Sequence, residues 1–148
     1  MSTKRLNDAS AWEMAESIKA VLDARLVSRL QLSPVISVIV DDSSLVDNCE
    51  FMAVSLILLE TGRPVVEFLH LKKVTDATAS GLFAALSSVL ASYSIPLSKI
   101  FGFGCDGASV MLGSRSGLAA QLKGVNPFLL AWHCMVHQVC NSTVQFPV

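Results

Sequence analysis

The run Val35-Ile36-Ser37-Val38-Ile39-Val40 is β-branched at nearly every position and apolar on both of the faces that a strand presents. A strand of that kind is stable only when covered from two sides, so it predicts a sheet with itself near the middle. Composition agrees with a large buried core: 52% of the residues are hydrophobic and only 16% charged, against about a quarter charged in an ordinary soluble domain. At 148 residues the chain has room for one such domain.

The segments around that strand follow from periodicity and punctuation. Asn7 or Asp8 caps a predicted amphipathic lead-in helix that runs to about Leu30, with Trp12, Ala15, Ile18, Leu22, Leu26 and Leu30 recurring at spacings of three and four. Leu32-Ser33-Pro34 ends it. Asp41 to Asn48 reads as a polar turn, Phe51 to Leu59 as an antiparallel second strand, and Thr61-Gly62-Arg63-Pro64 as hairpin residues before a third strand, Val65 to Leu71. The spacing then turns helical from Thr78 to Tyr93, with Asp76 or Thr78 as cap. A short strand at Lys99 to Gly104, reached by a crossover and therefore parallel, a helix from Gly107 to Leu122, a fifth strand at Phe128 to Trp132 and a helical pattern from Cys134 to about Val144 complete the order.

This order predicts an α/β fold: a mixed sheet, three antiparallel strands in a meander plus two parallel ones, with flanking helices. An RNase H-like fold has this succession, and several other α/β folds accept it. The predicted division is a lead-in helix over residues 1–33 and a sheet domain over 34–148.

Several functions are disfavoured. The longest apolar stretches, such as Phe51 to Leu59, are half the roughly 20 residues that span a bilayer, and no apolar run follows Lys4-Arg5 to make a secretory signal. Four cysteines without a CxxC pair fit reduced thiols, and an intracellular protein is expected. With 11 basic and 12 acidic residues there is no overall field to draw the chain onto nucleic acid, so any DNA contact needs a local patch. The acids are uneven: after Asp76 only Asp106 remains, while Lys99, Arg115 and Lys123 make the later half mildly positive.

Asp41 and Asp42 follow the central strand and Asp106 follows the fourth. If those strands are parallel neighbours, their carboxylates leave the sheet at one end. Carboxylates a few ångströms apart repel unless a cation intervenes, and hard oxygen ligands select Mg²⁺ or Mn²⁺, the ions of phosphoryl-transfer chemistry. The same residues also make good turn and cap chemistry, since Asp-Asp-Ser-Ser suits a turn and Asp106-Gly107 a helix start.

Three segments in register, VIVDDSS, GCDGASVMLG and WHCMVHQ, resemble the hAT superfamily of DNA transposases and their host-domesticated relatives over roughly residues 35–140. The resemblance implies an RNase H-like catalytic core in which Asp41 and Asp106 are catalytic acids and ligands of Mg²⁺ or Mn²⁺ for DNA cleavage and strand transfer. It makes Cys134 and His137 a Cys-x-x-His pair that handles DNA near the active site. It further implies a nuclear location, DNA as a partner, and self-association or protein partners. Cys105 and Gln138 stand where Thr and Arg are more frequent in the family. The family's third acid is a Glu on a helix far downstream, and no acid follows Asp106. The chain is therefore expected to be a partial core, incomplete at its C-terminus and inactive in cleavage. The alternative is a domesticated nuclear DNA- or protein-interaction module without catalysis.

Competing motifs are weaker. Gly102-x-Gly104-x-x-Gly107 matches a dinucleotide fingerprint but lacks the acid about 20 residues later that would hold a ribose, so no dinucleotide is expected. Cys134 and His137 with Cys140 do not close a zinc site, and zinc is not expected. Ser109, Ser114 and Ser116 have no GxSxG elbow to make a nucleophile, and Trp12 and Trp132 read as core or interface aromatics.

Overall fold

Strand β1, Ile36–Ser44, is the middle member of a five-stranded sheet in the order β3-β2-β1-β4-β5. The others are β2, Glu50–Glu60; β3, Arg63–Val74; β4, Ile100–Cys105; and β5, Leu130–His133. In this computed structural model, residues 8–44 and 50–134 are described. The β1–β2 and β2–β3 pairs are antiparallel, and the β1–β4 and β4–β5 pairs parallel. The fold is thus a mixed α/β sheet with flanking helices, as the order of elements predicted.

The chain divides after Leu32 into two units. The first carries helix α1, Asp8–Leu32, with Asp8 in its first turn and Arg29 in its last, each complementing the helix dipole. A Lys19–Asp23 ion pair spans one turn on the exposed surface. Of the expected apolar stripe, Leu26 and Leu30 are buried, while Trp12, Ile18 and Leu22 are exposed.

In the second unit, alternation along the strands sends Val38 and Val40 of β1, Met52, Val54, Leu56 and Leu58 of β2, and Phe103 of β4 into the core. Helices α2, Ala79–Ser92, and α4, Leu118–Val125, contribute Leu82, Leu86, Val89, Leu90, Leu118 and Leu122. The Tyr93 hydroxyl donates to the Leu69 carbonyl at 3.1 Å, tying the end of α2 to β3. Asn126, buried at the end of α4, donates from Nδ2 to the Ile100 carbonyl at 2.9 Å and accepts at Oδ1 from the Phe128 amide. An amide with both ends bonded is tolerated in a core, and it locks the loop before β5 onto the start of β4.

Three boundaries differ from expectation. Asp41-Asp42-Ser43-Ser44 belong to β1 rather than to a turn, because β2 is long enough to pair with them, from Asp41↔Ala53 to Ser44↔Glu50. The rest of that expected turn, residues 45–49, lies outside the described residues, as does the helical pattern expected after Cys134. The β2–β3 turn is only Thr61-Gly62, both with positive φ (48° and 78°) as a two-residue primed hairpin requires. Arg63 and Pro64 are therefore already strand, with Pro64 tolerated because β3 is an edge. The expected Gly107–Leu122 helix is broken into α3, Ser109–Leu112, and α4 by a Gly113–Gly117 loop. A β-carbon on Gly113 would lie 2.5 Å from the Ser109 carbonyl oxygen, and one on Gly117 2.5 Å from the Gly113 nitrogen, so the chain folds back on itself there.

At the start of α2 the Thr78 hydroxyl accepts from the Gly81 amide, and the Thr78 amide donates to Asp76 Oδ1 at 3.0 Å. The Thr78 backbone amide, and then its side chain, hold the Asp76 carboxyl below its ordinary value of 3.8. A depressed folded-state value means that the carboxylate stabilises the fold above about pH 3.8 and loses that contribution as the pH falls through its lower folded value. A carbon-13 NMR titration should show Asp76 titrating below 3.8; a value at or above it would contradict this capping geometry. Among the described residues no helix is long and apolar enough to cross a membrane.

Candidate functional site

The parallel β1–β4 ladder sets Ser37 against Gly102, Val38 against Phe103 and Ile39 against Gly104. The ladder ends there, with Asp41 two residues further along β1 and Asp106 two residues beyond Gly104, just past the end of β4. Asp41 is exposed, on the face of β1 shared by Ser37 and Ile39 and opposite the buried Val38 and Val40. Asp106 is half-buried at the turn after β4. Its Oδ1 accepts from the Ala108 amide at 3.0 Å, which fixes the carboxylate and leaves Oδ2 as the oxygen to present to an ion.

Strand β5 extends the same end of the sheet. His133 is opposite Cys105, and the Cys134 amide donates to the Cys105 carbonyl at 2.8 Å. Cys134 thus stands beside Asp106, half-buried, one strand further from Asp41. His137, its expected companion, lies outside the described residues, and so does the side chain of Asp42, whose backbone pairs with Met52.

Two features of this end were not read from the sequence. Gly107 has φ +90°, and a β-carbon there would lie 2.4 Å from Nε2 of His133, so the His133 ring packs directly on the turn that carries Asp106. That Nε2 is buried with no hydrogen-bond partner among the described residues. Gly102 and Gly104 leave room for the Trp132 ring, which β-carbons would approach to 2.8 and 2.9 Å. Glycines at i and i+2 inside a strand were the available signal that another group approaches the backbone closely. They lie within β4, not in the phosphate-binding loop that the dinucleotide fingerprint requires.

Among the described residues no three His, Cys, Asp or Glu side chains form a metal-holding group. Two carboxylates are nonetheless a sufficient protein contribution to a Mg²⁺ or Mn²⁺ site of the kind that completes its shell with water and substrate phosphate. Asp41 on β1 and Asp106 just after β4 are hard oxygen donors of that kind, and Asp106 is fixed by a backbone amide.

Residues 3–117 match the model of the protein family described as ZMYM1/FAM200, RNase-like domain. The chain belongs to this family. The match takes in α1, the sheet through β4 and both Asp41 and Asp106, and ends before α4, β5 and Cys134. The RNase-like domain is of the transposase-derived kind, with a mixed five-stranded sheet consistent with an RNase-like fold. No curated protein matches the chain.

Proposed function

We propose that this RNase-like domain derives from a transposase of the hAT type and retains a nucleic-acid-facing site at Asp41 and Asp106 that takes Mg²⁺ or Mn²⁺ without supporting cleavage in this chain. The parallel β1–β4 register supports the reading, because Asp41 and Asp106 both stand two residues beyond its last pair, Ile39↔Gly104. Asp41 and Asp106 would hold the ion, whose chemistry in such sites is to polarise a phosphoryl oxygen and activate a water or hydroxyl. Cys134, one strand away, and His137 would contact the DNA strand near that ion. Cleavage in this type of site uses a further carboxylate, and among the described residues no third acidic side chain groups with Asp41 and Asp106. That observation also favours a second reading: a nuclear module that binds DNA or protein and in which the carboxylates are vestigial.

A nuclease assay on linear and hairpin DNA with Mg²⁺ or Mn²⁺ tests the loss of cleavage. The expected result is no cut product above the level of an Asp41→Ala/Asp106→Ala chain. Cleavage by the unaltered chain that each single substitution abolishes would overturn it. Salt-dependent DNA binding without any ion at the acids would select the second reading.

A further inference from the structure

A cavity of about 510 Å³ lies between the start of α2 at Ala79, helix α3 and the Gly113–Gly117 loop. Its polar lining is Ser109, Ser114, Arg115 and Ser116; among the described residues Arg115 is its one charged side chain, and no carboxylate lines it. An arginine fork with hydroxyl donors around it, free of competing acids, is the chemistry that recognises a phosphate group. The cavity is also preformed. The Gly113 amide donates to the Ser109 carbonyl at 2.8 Å and the Gly117 amide to the Gly113 carbonyl at 2.9 Å, while the Gln121 side chain donates to the Ser116 carbonyl. Gly117 offers no side-chain cap to α4, so the dipole of that helix start adds to the positive character.

The elements lining the cavity follow the acid end of the sheet. β3 runs in the same direction as β1, since Glu50 is opposite both Ser44 and Val74, and α2 and α3 follow the carboxyl ends of β3 and β4. Ser109 is three residues beyond Asp106, a reach of at most about 10 Å.

We infer that the Gly113–Gly117 loop is a phosphate cradle in which Arg115 holds a backbone phosphate of a nucleic-acid strand that also passes the Asp106 end of the sheet. This inference rests on the nucleic-acid reading of the acid end but not on the ion. It supplies the local positive site that a chain with no net basic charge needs in order to hold a polyanion.

The test is fluorescence anisotropy of a labelled single-stranded oligodeoxynucleotide with the full chain, in EDTA, over a series of salt concentrations. Arg115→Ala is expected to weaken binding about tenfold near 0.1 M salt and to reduce the slope of log K against log salt by roughly 0.7, one phosphate contact. Arg115→Lys should keep the slope. Because Arg115 is exposed, the thermal midpoints of both variants should match that of the unaltered chain. The inference is overturned if the unaltered chain does not bind the oligonucleotide, if Arg115→Ala leaves affinity and slope unchanged, or if inorganic phosphate binds as tightly as the polymer. Mn²⁺ binding is measured separately without DNA: an Arg115-dependent slope in a chain that binds no Mn²⁺ would keep the cradle and remove the ion.

Discussion

Phe103→Ala is expected to cost about 3–5 kcal/mol of folding stability. The side chain is wholly buried on β4, flanked by Val38 of β1 and Ala131 of β5, at the junction of the meander and the parallel strands. Truncation removes a phenyl group from a position where strands on both sides prevent collapse, so the transfer and cavity contributions add. Domains of this size are stable by only about 5–15 kcal/mol, and the variant should therefore be partly unfolded at modest urea concentrations. Phe68→Ala is the internal control. Phe68 is 63% exposed on edge strand β3, and its loss should shift the urea midpoint little. Equal midpoints for the two variants would contradict the burial pattern of the sheet.

The second large effect is expected at Gly107. A β-carbon there meets two penalties at once, the φ of +90° and the His133 ring at 2.4 Å. Gly107→Ala should cost about 2–4 kcal/mol, one part from backbone strain and one from displacement of the ring. The two parts separate in a double-mutant cycle, because in a His133→Ala background only the strain remains and the cost should fall to about 1–2 kcal/mol. If the cost of Gly107→Ala is the same in both backgrounds, the ring does not pack on the turn. The substitution also bears on function: the Asp106 carboxylate is fixed by the Ala108 amide across this same residue, so displacing the turn moves an oxygen that an ion would use.

Much of this architecture is legible in the sequence where a single residue type has one physical use. The β-branched run before Asp41 marks a central strand, with Ile36, Val38 and Val40 buried and Ser37 and Ile39 half-buried on the other face; Pro64 sits at an edge, and Thr78 before a helical pattern is a cap. The parallel direction of β4 follows from the crossover through α2. What was not legible depends on partners distant in sequence. β1 continues through Asp41 and Asp42 because β2 reaches them, not because of any local preference. The helix after Asp106 breaks at Gly113 because two glycines let the backbone approach itself, whereas isolated glycines in an otherwise helical pattern are often tolerated. In α1 the spacing shows which residues share a side but not how far along the helix that side is covered, which ends at Leu26 and Leu30.

At the site, the acids of β1 and of the turn after β4 could be inferred to share one end of the sheet if β4 lay parallel beside β1, which it does. The supporting layer could not. Trp132 against Gly102 and Gly104, and His133 against Gly107, involve residues about 30 positions apart and become visible only when β5 is docked on β4. The Arg115 loop was likewise hidden, its serines having no motif around them to suggest a pocket.

Mn²⁺ binding to the full chain, followed by electron paramagnetic resonance of the free ion, tests the central claim most directly. The unaltered chain should bind one Mn²⁺, and Asp41→Asn and Asp106→Asn should each weaken binding at least tenfold, as expected when one of two protein carboxylates is lost. Both substitutions replace a carboxylate by an amide of the same shape, and Asp106→Asn retains a side-chain oxygen to accept from the Ala108 amide, so the fold should persist. Undiminished Mn²⁺ binding in either variant, or none by the unaltered chain, would contradict a shared ion at Asp41 and Asp106.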